Sequence, residues 1–223
     1  MNENSNAAFS FQLNLSKWNI VYTAIAISAV LTVIPLAMYG IEKQGIVNWL
    51  DATGRAGMIT FTAAFIASPL HKLFPNSFSR WLLKNRRFLG IGFGFQHLIF
   101  HLPAVIWFLI IAKVPLDAMI TGGLGFILVI FMLITSFNAP AKWIGARNWK
   151  ILHTTGMFYL MYVFIISFYP GISGNPSLNQ TYLTNYGLFE LTLLVAVFLR
   201  IMIFARKMKR VISKQTSEQQ IRS

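Results

Sequence analysis

The sequence predicts an all-α protein, an integral membrane bundle of six transmembrane helices, and three observations carry that expectation. Of the 223 residues, 56% are hydrophobic and 11% charged, where an ordinary soluble domain carries about 25% charge. Six nearly uncharged stretches of about 15 to 25 residues follow one another, each close to the length of a helical crossing. Lysine and arginine fall in blocks between those stretches, which is how charge is distributed when it sets membrane topology.

Taken in order, the spans are expected at residues 20–39, 55–72, 88–112, 118–141, 151–169 and 186–204. The first, third, fourth and fifth are plain apolar runs. The second is short, and the sixth carries Glu190 and Arg200, so both rely on long side chains reaching the interface. Residues 1–16 form a polar, Asn-rich segment without the basic cluster of a cleavable signal peptide, and are read as a frayed terminus. Residues 17–205 are then one membrane domain and 206–223 a basic tail. The uncharged Pro- and Gly-containing stretch 169–176 reads as an outer connector.

The basic residues fix an expected orientation. Lys17, Lys72, Arg80, Lys84, Arg86, Arg87, Lys142, Arg147, Lys150 and the tail residues Arg206, Lys207, Lys209, Arg210, Lys214 and Arg222 fall on one side, against Lys43, Arg55 and Lys113 on the other. Both termini are therefore expected to be cytoplasmic, in a bacterial inner membrane. The net charge of +13 is then explained by topology and anionic lipid, and no nucleic-acid partner is implied.

Composition also narrows the chemistry. Cysteine is absent, which excludes disulfides, iron–sulfur clusters, thiolate-ligated haem and covalent haem attachment. No Gly-x-Gly-x-x-Gly stands between a strand and a helix, and the spans leave no length for flavin or nicotinamide modules. Any electrons are expected from a partner.

The four histidines hold the remaining interest, since an ionisable group within a bilayer is paired, solvated or functional. His97 and His101, four apart in the third span, project from one helix face. His153 lies near the start of the fifth span and His71 at the end of the second, beside Lys72. Imidazoles on facing helices suit a b-type haem, the usual cofactor for moving electrons through a membrane without thiolates. A zinc or copper site on His97 and His101 and a plain interhelical hydrogen bond are the competing readings. Arg86 and Arg87 have the bidentate donors to meet haem propionates, although topology alone accounts for them.

The ordered set Thr53-Gly54-Arg55, Ser68-Pro69-Leu70, Arg86-Arg87-Phe88-Leu89-Gly90, a third-span histidine and Trp149-x-x-x-His153 resembles the ferric-reductase-like transmembrane domain family. Within that family the pattern is most similar to the haem-binding membrane subunits of bacterial methionine-sulfoxide reductase systems. The resemblance covers residues 51–169. It implies a six-helix bundle that holds b haem and passes electrons from a cytoplasmic donor, a flavin system or the quinone pool to an outward acceptor, either ferric iron or a partner reductase. On that reading the chain is an oxidoreductase component whose haem iron is held by His153 with His97 or His101. Where family members place a second fifth-span histidine this chain has Ile166, which implies one haem rather than two. A gapless match from Arg86-Arg87 places the family's third-span histidine at Phe100, one residue from His101 and about one turn from His97. At 1.5 Å per residue, His97 and His101 lie roughly 14 and 20 Å inside Phe88, whereas His153 lies only about 3 to 5 Å inside residue 151. His71 at the cytoplasmic level is an alternative mate for His153. The contrasting expectation is a cofactor-free membrane partner or assembly subunit that kept the fold, for which Ile166 is the best support.

Overall fold

The computed structural model describes residues 15–168 and 180–222. Its elements are α1 (Trp18–Tyr39), α2 (Lys43–Leu73), α3 (Ser77–Phe95), a π-helical segment (Gln96–His101), α4 (Leu102–Ile111), α5 (Leu116–Ile134), α6 (Asn138–Phe168) and α7 (Gln180–Arg222). α3, the π segment and α4 form one continuous rod, so the described residues make an all-α bundle of six long helices. The expected outer connector at 169–176 lies outside the described residues, as does most of the polar segment 1–16.

Five helical stretches are long and apolar enough to cross a membrane: Trp18–Tyr39, Ser77–Ile111, Leu116–Ile134, Asn138–Ser167 and Gly187–Lys209. Six crossings were expected, and α2 makes the difference. Its 31 residues span about 46 Å at helical rise, ample for a bilayer, but Lys43, Asp51, Arg55 and Lys72 lower its apolarity. The physical reason is its position. α2 packs against α1, α3, the π segment, α4 and α7, so much of its surface meets protein rather than lipid. The residues it buries include Gly45, Thr53, Gly54, Gly57 and Thr62 beside Phe61 and Phe65, the small and weakly polar types that let helices approach closely in a membrane.

Several helices begin earlier than hydropathy suggests. α3 starts eleven residues before the apolar run because Asn76 caps it: the Asn76 side chain accepts from Ser79 N at 2.8 Å and Ser79 Oγ accepts from Asn76 N at 3.0 Å. That reciprocal box satisfies two end donors. α6 begins at Asn138, broken at Gly145, whose φ of 75° and ψ of 159° only glycine adopts at little cost. α7 continues as helix to Arg222, through the segment read from sequence as a tail.

The core joins α2, α3, α5, α6 and α7 through Met58, Phe61, Phe65, Phe93, Val129, Leu160, Phe164 and Leu193. A smaller cluster of Ile20, Ala67, Leu82 and Leu89 ties α1 to α2 and α3. Outside it, Val33, Ile110, Ile120, Phe131 and Phe198 are all more than half exposed. Large apolar side chains facing outward on every apolar span are what a lipid-facing surface requires.

Candidate functional site

The third span changes its winding where its histidines stand. Between Gln96 and His101 the helix opens into a π turn, a widening often found at functional sites. His97 and His101, expected one turn apart on a helix face, come nearly above one another, with ring centroids 4.7 Å apart. Both face α2. A β-carbon built at Gly57 would stand 2.5 Å from His97 Cε1 and 2.6 Å from its Nδ1, and one at Gly54 would stand 3.2 Å from His101 Cε1. The two glycines, three residues apart on α2, make the room that the imidazoles fill.

Hydrogen bonding assigns the tautomer of His101. The Thr53 hydroxyl donates its one proton to the Trp49 carbonyl at 2.8 Å, so it can only accept from His101 Nδ1, 3.1 Å away. The proton therefore sits on Nδ1, and Nε2 keeps its lone pair. An Nδ1–H anchored by the protein is the arrangement that metal-ligating histidines use to orient the ring. His97 differs: it is 7% exposed, its Nδ1 is buried with no hydrogen-bond partner among the described residues, and its ring is enclosed by Phe93, Phe126 and Phe164 at centroid distances of 4.4, 6.0 and 5.6 Å.

His153 lies elsewhere. Thr135 Oγ1 donates to the Phe131 carbonyl at 2.7 Å and so accepts from His153 Nε2 at 3.0 Å. Trp149 stacks on the same ring at 4.2 Å and donates from Nε1 to the Thr135 carbonyl at 2.9 Å. This leaves His153 with its lone pair on Nδ1, the nitrogen crowded by the side chain's own Cβ. His97 packs on Phe164, eleven residues and about 16 Å of helical rise beyond His153, so the histidines of α6 and the π segment stand at different depths. His71 donates from Nδ1 to Ser79 Oγ at 3.1 Å, since that hydroxyl gives its proton to the Phe74 carbonyl at 2.8 Å. Arg86 donates to Ser68 Oγ at 2.7 Å and Arg87 Nε to the Ser136 carbonyl at 2.8 Å.

The structure thus brings His97 and His101 together and leaves His153 and His71 in separate settings. Gly57 escaped sequence reasoning, although small residues at Thr53, Gly54 and Gly57 were a legible sign of close approach on one face. The π turn was not read from the sequence, although Pro103 just beyond it removes the backbone donor that would meet the Ile99 carbonyl.

No family model, curated protein or solved structure matches this chain. Among the described residues, no group of three or more histidine and carboxylate side chains is placed to hold a metal ion. A b haem asks less of the protein, one or two axial nitrogens within an apolar wall. His101, with Nδ1–H held and Nε2 carrying the lone pair, would offer a haem iron one nitrogen ligand. A second histidine on a facing helix is missing beside the pair among the described residues, where Phe126 stands against His101 and Phe164 against His97.

Proposed function

We propose that this chain is an integral-membrane electron-transfer protein that binds one b haem, whose iron His101 would hold. The observation that carries the reading is the Thr53–His101 hydrogen bond of 3.1 Å beside Gly54, which orients the ring and commits its tautomer. The π turn supports the same assignment. A π turn takes up one extra residue within a helix, and one extra residue is what separates His101 from the gapless position of the ferric-reductase-like histidine at Phe100.

When bound, the haem supplies one-electron chemistry. The chain's part is to hold and insulate. Thr53 fixes the imidazole, Phe93, Phe126 and Phe164 keep water from the histidine pair, and Arg87 offers guanidinium donors at the basic end of the bundle. The basic side faces the cytoplasm, electrons come from a cytoplasmic flavin system or from the quinone pool within the bilayer, and the acceptor is ferric iron or a partner reductase on the other side. A second reading rests on a specific observation: His97 and His153 are separated by about three turns of helix, as in a chain that kept the fold and serves as a cofactor-free partner subunit.

A reduced-minus-oxidised spectrum of protein expressed with haem supplied, with haem quantified per chain, separates the two. The haem reading expects about one haem per chain by stoichiometry. His101→Ala abolishes the spectrum, Thr53→Val weakens haem retention and Thr53→Ser preserves it, because only valine removes the acceptor. A protein free of haem under these conditions overturns the haem reading and favours the second.

A further inference from the structure

Arg200 sits within the membrane-crossing stretch of α7, where an unpaired charge is costly. It donates from a terminal nitrogen to the Phe65 carbonyl at 2.7 Å and lies 4.3 Å over the Phe65 ring and 5.8 Å from the Phe158 centroid. Its Nε is buried with no hydrogen-bond partner among the described residues. Arg86 reaches the same turn of α2 from α3, donating to Ser68 Oγ. Phe65 and Ser68 are three residues apart, about 4.5 Å of rise. Two guanidiniums from different helices therefore converge on one turn, and Arg86 is within electrostatic reach of both Arg200 and His153.

Asp51 on α2 and Glu190 on α7 are remote. Among the described residues the ion pair is Asp51 with Arg55 at 3.5 Å, fourteen residues before Phe65 and so about 21 Å along α2. Glu190 precedes Arg200 by ten residues, about 15 Å along α7. Two like charges converging where one of them is partly buried favour a counter-charge between them. The geometry suits an oxyanion, since planar guanidiniums meet phosphate through paired N–H donors. Ser68 lies five residues before the end of α2 at Leu73, about 8 Å from the helix terminus, close to where headgroup phosphates lie. Phe158 is exposed beside Arg200 and offers acyl chains an apolar contact.

We propose that Arg86 and Arg200 form a binding site for a single phosphate oxyanion, supplied by the headgroup of an anionic phospholipid. The site stands independently of the haem reading. It is tested with the full chain purified in uncharged detergent and titrated with phosphatidylglycerol, phosphatidylcholine or inorganic phosphate. Bound lipid is counted by intact-complex mass spectrometry, and the melting midpoint is followed by tryptophan fluorescence. Wild type retains one phosphatidylglycerol and melts higher in its presence, while phosphatidylcholine does neither. Arg200→Gln and Arg86→Gln each lower phosphatidylglycerol retention about tenfold, the scale of one lost charge-assisted contact. Arg86 is exposed, so Arg86→Gln remains folded and decides the matter if Arg200→Gln does not. A rise in midpoint with inorganic phosphate equal to that with phosphatidylglycerol, lost in both variants, upholds the oxyanion site and makes free phosphate its source. Equal phosphatidylglycerol retention by wild type and Arg86→Gln overturns the proposal, because the basic tail would then account for it.

Discussion

Replacing Gly57 by alanine tests the packing of the histidine pair directly. The added β-carbon arrives 2.5 Å from His97 Cε1 and 2.6 Å from Nδ1, closer than side-chain carbons stand to such atoms. The ring has little room to retreat, with Phe93 at 4.4 Å and His101 at 4.7 Å between centroids and Phe126 and Phe164 closing the remaining sides. Overpacking of this kind costs about 1–3 kcal/mol, while alanine's better helix propensity returns about 0.5–1 kcal/mol. The expected net loss is up to about 2.5 kcal/mol. Gly122→Ala is the matched control, since a β-carbon there meets nothing within 4 Å, and it gains up to about 1 kcal/mol. Unfolding in mixed micelles with increasing SDS, followed by tryptophan fluorescence, measures both. The double variant Gly57→Ala with His97→Ala should recover part of the loss, a favourable coupling that a double-mutant cycle isolates. If Gly57→Ala matches Gly122→Ala in stability, or the cycle shows no coupling, His97 is not wedged against α2 and the reasoning fails.

Two further substitutions examine how the helices are shaped. Gly145→Ala should destabilise by about 1–3 kcal/mol through backbone strain alone, because the left-handed φ of 75° is unfavourable to alanine although nothing lies within 4 Å of the new carbon; an unchanged melting midpoint would show that the break in α6 is dispensable. Asn76→Ala should cost about 1 kcal/mol by removing the cap of α3, while Asn76→Asp keeps the acceptor and most of the stability; equal losses in the two would sink the capping assignment.

What the sequence determined by itself is the class of the protein. An uninterrupted apolar run of crossing length has one stable outcome in lipid, a helix with its backbone bonded internally, so α1, α5 and the apolar portions of α6 and α7 could be read directly. The His97–His101 pairing was legible too, because spacing along a helix fixes which residues share a face. The tertiary structure decided what depends on neighbours. α2 is less apolar than its partners because it is enclosed by them, and hydropathy reports exposure to lipid, not burial in protein. That the π turn beside Pro103 sets both imidazoles on the glycines of α2 is a match between two helices that no local pattern shows. Which nitrogen of His101 carries the proton depends on Thr53, 48 residues away, whose own proton is already committed to Trp49. The convergence of Arg86 and Arg200 is likewise invisible in a chain where 114 residues of sequence separate them, since only the packing of α3 and α7 on one turn of α2 makes them neighbours.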